Sequence, residues 1–355
     1  MDDFAAAHYD EFGFLESYAK HEGIPWTGPP AVARRTVTLP GGRRLSGLAW
    51  GTAPPEIVLL HGIGQNAHTW DSVAMALGRP LVALDLPGHG HSDWREDADY
   101  RPGANAEAVA AAMAQLAPAP RLVVGMSLGG LTLIALAARY PALVPRAVIV
   151  DVTPGVGRQV RGMTTAQRGA VALLSGPPTF DSFESMLAAA AALQPGRPAE
   201  SLRPGVLHNS RQLEDGRWGW RYDMRRSRGG GPGGPGEPGG PGGPRGPGGA
   251  GGADGAGNGA GAGAGAGGAG DARGARGGTG PDVMAALWDD LAGMTVPVML
   301  VRGANSSYIH DDDQAEFARR QPTARIELVE GSGHSVQSDR ASYLAGLIAD
   351  FLGEP

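Results

Sequence analysis

The sequence predicts an α/β protein whose mostly parallel, doubly wound sheet is covered by helices on both faces. Two patterns predict it: short runs rich in Val, Ile and Leu, and helical periodicity between them. Runs that are apolar on both faces are typical of parallel strands buried between two helical layers, and alternation with helices is typical of a doubly wound sheet. The predicted strands are 56–60, 81–86, 121–124, 147–150, 296–301 and 326–329, and the predicted helices are 67–77, 104–116, 128–139, 311–320 and 338–352.

Two segments before these runs predict an antiparallel hairpin at the edge of the sheet. Residues 35–39 and 43–50 alternate between apolar and polar side chains, and Pro40-Gly41-Gly42 lies between them. Proline and glycine between two alternating runs are typical of a tight turn. We therefore expect these two strands to pair with each other.

The regular alternation stops near residue 152, which predicts a segment inserted between two parts of the sheet. Helical patterns at 166–174 and 183–193 precede an aromatic stretch at 217–222, and a further helical pattern at 283–291 leads back to the strands. We interpret the inserted segment as a helical cap that shapes the substrate pocket. The expected division is a core of 1–151 and 281–355, a cap of 152–228 and a further insertion of 229–280.

The segment 229–280 contains 28 of the 59 glycines of the chain. Five Gly-X-Pro triplets run in register over 230–244 before the period breaks, so a collagen helix is excluded. The segment has almost no apolar side chain larger than alanine or proline, and it is expected to be a disordered insertion. An RNA tether is the alternative, supported only by Arg-Gly-Gly at 228–230 and 276–278.

Charge and composition exclude several functional classes. A formal net charge of -6 and the lack of a basic stripe argue against nucleic-acid binding. The chain has no cysteine, which excludes disulfides, thiolate metal sites and cysteine nucleophiles. Its acidic start and the lack of an apolar run near ~18 residues predict a cytoplasmic protein without a membrane partner. The oligomeric state is left open.

A serine lies where a strand is predicted to turn sharply into a helix. Gly125-Met126-Ser127-Leu128-Gly129 follows the run 122–124 and precedes a helical pattern. This G-x-S-x-G pattern is typical of a nucleophile elbow, in which the two glycines let strand and helix approach each other. A serine that only caps the helix is the simpler alternative. The flanking strand and helix favour Ser127 as the nucleophile.

A second glycine-containing turn, His61-Gly62-Ile63-Gly64, follows the predicted strand 56–60. Acyl transfer requires two backbone N–H groups that point at the developing oxyanion. One is expected from Leu128, directly after the nucleophile, and the other from Ile63. An ordinary glycine turn is the alternative.

The chain resembles the α/β-hydrolase family in four places: His61-Gly62, the turn 85–92, the serine elbow and Gly331-Ser332-Gly333-His334. The resemblance extends over most of 35–351 outside the glycine-rich insertion. It implies the triad order serine, acid, histidine, with His334 as the catalytic base in the loop after the last strand. It implies an inserted cap as well.

The acid requires a choice among several aspartates. The loop 303–308, where much of the family has its acid, contains no carboxylate. Asp311, Asp312 and Asp313 are better interpreted as partners of a helix N-terminus, and Asp85 precedes the serine. Asp151 ends the strand after the nucleophile helix, and some small bacterial esterases have their acid there. Asp151 is therefore the predicted acid.

These residues predict a serine hydrolase that cleaves a carboxylic ester, or a related acyl bond of a small molecule, through an acyl-enzyme and without a cofactor or metal. Met126, Trp218 and Trp220 are candidate pocket residues. One alternative is a metal-dependent lactonase that uses His89 and His91, which lie in an H-x-H-x-D pattern. The other is a ligand-binding scaffold without turnover.

Overall fold

A computed structural model of the chain describes residues 9–168, 171, 173–174, 176–194, 196–224 and 281–353. Its central feature is an eight-stranded sheet in the order β1-β2-β4-β3-β5-β6-β10-β11. The first two strands are antiparallel to each other, and β2 is antiparallel to β4; all other neighbours are parallel. Its strands are β1 (Val32–Thr38), β2 (Arg44–Trp50), β3 (Ile57–Leu60), β4 (Leu81–Leu84), β5 (Leu122–Met126), β6 (Ala147–Val150), β10 (Val298–Gly303) and β11 (Arg325–Val329).

Helices cover both faces of this sheet and bury two apolar clusters against it. The helices that pack on one face are α3 (Pro102–Leu116), α4 (Leu128–Arg139), α9 (Pro281–Ala292) and α10 (Asp311–Arg320). On the other face lie α1 (Leu15–Glu22), α2 (Asp71–Leu77) and α12 (Ala341–Leu352), with a 3₁₀ turn at Ala67–Trp70 and the short α11 (Val336–Asp339). Strands β3, β4, β5 and β6 are buried along their whole length, as apolar runs between two helical layers require.

A smaller unit lies between β6 and α9. Its apolar core contains Phe183, Met186, Trp218 and Trp220. It contains a three-stranded antiparallel sheet in the order β7-β9-β8. Its elements are α5 (Val156–Gly162), α6 (Thr165–Arg168), β7 (Thr179–Phe180), α7 (Phe183–Ala192), α8 (Ala199–His208), β8 (Ser210–Gln212) and β9 (Trp218–Trp220). The glycine-rich insertion predicted at 229–280 lies outside the described residues.

The predicted α/β class with a mostly parallel sheet is confirmed, and each of the six apolar runs contains a strand. The sequence prediction lacked α1 and α8. Helix α8 contains Pro204, which removes a backbone N–H and normally ends a helix, yet Leu202 and Val206 are buried on its inner side. Tertiary packing thus overrides the local signal. In the part of the chain that the structure describes, no helix is both long and apolar enough to span a bilayer.

Candidate active site

Ser127 lies in a strained turn between β5 and α4. Its φ of 51° and ψ of -115° are rare for a residue with a side chain. A Cβ on Gly125 would overlap the backbone of Gly129, and one on Gly129 would overlap that of Leu60. The two glycines therefore provide the space that the turn needs. The Ser127 hydroxyl makes no capping hydrogen bond to α4, so the helix-cap alternative has no support.

His334 and Asp151 form a hydrogen-bonded pair next to this turn. His334 Nδ1 donates to Asp151 Oδ2 at 2.7 Å, although the residues are 183 positions apart. When Nδ1 carries the proton, Nε2 has the free lone pair. Nε2 is buried and has no hydrogen-bond partner among the described atoms, while Ser127 and His334 line the same cavity. The arrangement leaves His334 able to accept a proton from a nucleophile.

Asp151 directly follows β6 and accepts hydrogen bonds from three donors, two of which lie at or just after the end of β10. Besides the imidazole, the backbone N–H of Gly303 donates to Oδ1 at 2.9 Å, and the Ser306 hydroxyl donates to Oδ2. The carboxylate is fully buried, so these bonds replace its lost hydration. The donors also fix the carboxylate in one orientation toward His334.

Tyr308 covers the other face of the catalytic imidazole. Its ring is stacked on His334, and its N–H donates to Ser306 Oγ at 3.1 Å. The loop after β10 thus contacts both the acid and the histidine. The sequence prediction assigned no role to Ser306 or Tyr308. The only available signal was a hydroxyl-rich loop where the carboxylate was missing.

The turn after β3 is fixed beside Ser127 by a buried histidine. The Leu86 N–H donates to His61 Nε2 at 2.9 Å, so His61 Nδ1 carries the proton and donates to the Gly62 carbonyl at 2.7 Å. Burial lowers the pKa of His61, in keeping with a neutral ring that both accepts and donates. A Cβ on Gly62 would lie 2.6 Å from Met126 Sδ and 3.2 Å from the Ser127 Cβ, which brings this turn against the elbow.

Of the two predicted oxyanion donors, Leu128 lies in the elbow and Ile63 lies in the turn beside it. Ile63 follows Gly62 in the turn and lines the cavity with Ser127. Leu128 is the first residue of α4, where a backbone N–H has no partner within the helix. The structure therefore places both residues next to the serine.

The cavity that contains Ser127 and His334 has a volume of about 810 Å³ and opens between the sheet and the smaller unit. Of the predicted pocket residues, Met126 and Trp220 line it. Trp218 does not. It packs edge-on against Phe183, with ring centroids 5.3 Å apart, inside the smaller unit. The sequence could not distinguish Trp218 from Trp220, because residues two positions apart on a strand are expected on the same face.

Three of the other four aspartates considered as the acid have structural partners. Asp85 is fully buried and accepts from Arg34 at 2.7 Å and from the backbone N–H groups of Ala67 and His91. Asp311 pairs with Arg302 at 2.8 Å. Asp313, also fully buried, accepts from Arg158 and Gln159. None of these three is hydrogen-bonded to His334 among the contacts of the described residues.

His89 and His91 belong to the turn after β4. The ring of His89 packs edge-on against His61, with centroids 5.1 Å apart, and its Nδ1 lies 3.0 Å from the Pro87 carbonyl. Burial lowers the pKa of His91 to about 4. Among the described residues, the one group of side chains with metal-ligand spacing contains neither histidine. The structure gives the lactonase alternative no assembled site.

Comparison with known proteins finds a matching family and individual relatives of the chain. A family described as alpha/beta hydrolase fold matches residues 55–341. Esterase Rv0045c of Mycobacterium tuberculosis is 41% identical over 345 residues, which cover 97% of this chain and 96% of that protein. The sn-1-specific diacylglycerol lipase ABHD11 of Mus musculus is 23% identical over 309 residues, or 84% of this chain and 81% of that protein.

Solved structures show the same similarity. A structure of the M. tuberculosis esterase Rv0045c, described under transition metal inhibition and structural refinement, has a TM-score of 0.73 at 40% identity. It covers 98% of this chain and 100% of that chain. A thioesterase domain from the curacin biosynthetic pathway has a TM-score of 0.62 at 19% identity, with 90% and 99% of the two chains covered. The second similarity shows the fold alone.

Proposed function

Because the chain belongs to the α/β-hydrolase family, we propose that it cleaves carboxylic esters through a catalytic triad of Ser127, His334 and Asp151. One observation carries the residue assignment: His334 is bonded to buried Asp151 through Nδ1, its Nε2 has no partner, and His334 lines the cavity that contains Ser127. The similarity to an esterase over nearly the whole chain supports ester hydrolysis as the reaction.

Acylation begins when the Ser127 hydroxyl attacks the ester carbonyl carbon. His334 Nε2 accepts the hydroxyl proton, and the electron pair of the carbonyl π bond moves to the oxygen. Asp151 holds the required tautomer and stabilises the imidazolium. When the tetrahedral intermediate collapses, His334 transfers the proton to the leaving alcohol, and the acyl group remains on Ser127.

The oxyanion is stabilised by the backbone N–H groups of Ile63 and Leu128. Donors that are already aimed at the developing charge need no reorganisation during the reaction, and each is worth about 2.7–4 kcal/mol of transition-state stabilisation. The hydrogen bonds of His61 to Leu86 and Gly62 support this role, because they hold the turn in place before substrate arrives.

Deacylation repeats these steps with water as the nucleophile. His334 removes a proton from water as the oxygen attacks the acyl carbon, and it then returns the proton to the departing Ser127 oxygen. A carboxylic acid leaves, and the free enzyme is restored. The mechanism consumes one water per ester and needs no cofactor.

We further propose that 152–228 acts as a cap that selects a small-molecule ester. The cavity combines apolar lining from Leu202, Val206 and Trp220 with polar groups that include Gln65 and Asn209. Cavities of this size and character suit compact organic molecules. Cap residues form part of the wall, so changes there should alter substrate preference more than the chemistry.

The assignment of Ser127 is tested by covalent labelling together with ester turnover. A fluorophosphonate probe should label one serine of the wild-type protein, and S127A should lose both labelling and hydrolysis of a chromogenic ester. S342A is a matched control, since Ser342 is exposed on α12. Labelling that persists in S127A would contradict the proposal. Activity that persists in S127A and disappears on chelation would instead favour the lactonase alternative.

A further inference from the structure

Three buried side chains with metal-ligand character meet at the wall of the cavity, apart from the triad. They are His68 in the 3₁₀ turn, Asp71 at the start of α2 and His208 at the end of α8. Their ligand atoms lie within 4.8 Å of one another, and each side chain borders the cavity. Each residue is no more than 7% exposed. Because all three side chains border the cavity, an ion can reach them from there.

Two atoms of this cluster have no hydrogen-bond partner among the described residues: His208 Nε2 and Asp71 Oδ1. Buried polar atoms normally have a partner, and an unsatisfied one costs about 1–3 kcal/mol. Neutral imidazole nitrogen and carboxylate oxygen are both ligands for zinc and neighbouring metals. The two atoms are thus available as ligands without the loss of an existing contact.

The remaining nitrogens of the two histidines are held by polar partners. His68 Nε2 lies 3.1 Å from Glu11 Oε1, and His208 Nδ1 lies 2.6 Å from the Tyr9 hydroxyl. Metal-ligating histidines almost always have such an outer partner, which orients the ring and sets the ligating nitrogen. This pattern indicates His68 Nδ1 and His208 Nε2 as the ligating atoms.

We propose that His68, Asp71 and His208 bind one divalent transition-metal ion of the zinc type. The donor set has two nitrogens and one oxygen, and a water in the cavity takes the fourth position. The site is independent of the triad and goes beyond ester hydrolysis. Since His208 belongs to the cap segment and the other two ligands to the core, the ion ties these two parts together at the cavity wall.

Binding requires a rearrangement of the three side chains. Tetrahedral zinc with bonds of about 2.0–2.1 Å separates its ligands by about 3.4 Å, so ligand atoms that lie within 4.8 Å of one another must approach by up to about 1.4 Å. The His68 and His208 rings are stacked, with centroids 3.8 Å apart and 10° between the planes. Because the lone pair of an imidazole nitrogen lies in the ring plane, the rings must rotate out of this stack before both nitrogens face one ion. The ion replaces the proton between His68 Nδ1 and Asp71 Oδ2, which are 2.8 Å apart, and one proton leaves to solvent.

Calorimetric titration with zinc chloride tests the site in the full chain. The wild-type protein should bind one tight equivalent, and S127A should bind with the same affinity, because the triad is not involved. H208F keeps an aromatic ring against His68 but removes the ligand nitrogen. It should weaken binding by at least about 10- to 100-fold, the range known for loss of outer-shell partners alone. H310Q, which removes an exposed histidine, is the matched control.

Two further measurements keep the proposal testable if H208F does not fold. Cobalt(II) bound to the wild-type protein should show the visible absorption of a four- or five-coordinate ion, and D71N should reduce it. Anomalous diffraction from zinc-soaked crystals should show a peak between the three side chains. A peak at other histidines, no binding to the wild type, or equal affinity in H208F would overturn the proposal. Loss of ester turnover in S127A with intact zinc binding would leave both proposals standing.

Discussion

The ring of Tyr308 lies parallel to the imidazole of His334, with centroids 3.5 Å apart and an angle of 8° between the planes. Tyr308 is largely buried, and the same loop supplies the Ser306 hydroxyl to Asp151. A stacked aromatic ring restricts rotation of the histidine while it exchanges protons with substrate. Tyr308 is therefore a positioning residue for the proposed base.

Replacement of Tyr308 by alanine is expected to lower kcat by about 2- to 13-fold. The estimate follows from about 0.5–1.5 kcal/mol for an aromatic pair beyond its area burial. Y308F should retain most of kcat, because the stacking surface is kept. Steady-state kinetics with a chromogenic ester measure both variants. A loss in Y308F equal to that in Y308A would show that stacking is not the relevant interaction.

Removal of the Ser306 hydroxyl is expected to impair catalysis without preventing substrate binding. S306A deletes a charge-assisted hydrogen bond to Asp151, worth about 1.5–3 kcal/mol, so kcat should fall by about 10- to 100-fold with little change in KM. S307A deletes a hydroxyl at the next position and serves as the control. Equal kinetics in the two variants would argue against a role for the Ser306 bond.

A methyl group at Gly62 should disturb the elbow rather than the overall fold. In G62A the new Cβ would meet Met126 Sδ at 2.6 Å and the Ser127 Cβ at 3.2 Å. We expect kcat to fall by at least about 10-fold, because the proposed oxyanion donor at Ile63 moves with the turn. G346A is the control: its Cβ meets nothing within 4 Å in α12, and alanine should stabilise that helix by about 0.5–1 kcal/mol. Ester turnover and thermal melting separate the two effects.

The folded state should lose stability in mild acid because His61 is held neutral. Burial lowers the pKa of His61, whereas the unfolded chain protonates a histidine near about 6.5. Below that pH the unfolded state binds more protons, so the free energy of unfolding decreases as pH falls from about 6.5 toward the folded-state pKa. His91, which is half-buried, acts in the same direction. Buried His68 acts in the opposite direction, because against the effect of burial Asp71 and Glu11 raise its pKa to about 9, and its contribution is lost only as pH rises above about 6.5.

Urea unfolding at a series of pH values measures this dependence. The slope between about pH 7 and about pH 5 should be smaller in H61Q than in the wild type, since glutamine does not titrate. If H61Q does not fold, NMR of the wild-type imidazoles provides the check. A His61 ring that becomes protonated near about pH 6.5 would contradict the prediction.

Deletion of 229–280 is expected to leave ester turnover within a few-fold of the full chain. The proposed triad, the oxyanion donors and the cavity lining all lie outside this segment. A variant that joins 228 to 281 through a short Gly-Ser linker tests this with the same chromogenic ester. Loss of activity with an intact far-ultraviolet circular dichroism spectrum would show that the segment contributes to function.

Local features of the site could be predicted where one short segment contains the whole signal. The elbow at Ser127 needs two glycines, a strand and a helix, and all of them lie within 122–139. The buried strands of the sheet could likewise be predicted, because each is a short apolar run. Features that depend on residues far apart in the sequence could not be predicted. Helix α8 persists around Pro204 because its apolar side chains are buried in the smaller unit.

The sequence by itself determined the α/β class, the strand order along the chain and the identity of the candidate nucleophile, because periodicity and turn chemistry are local. Only the tertiary structure decided that Asp151 accepts a hydrogen bond from Ser306, that Trp218 lies away from the cavity, and that His208 meets His68. The two contacts join positions up to 155 residues apart. They exist because parallel strands end at one edge of the sheet and the smaller unit folds over that edge, and no local pattern encodes such proximity.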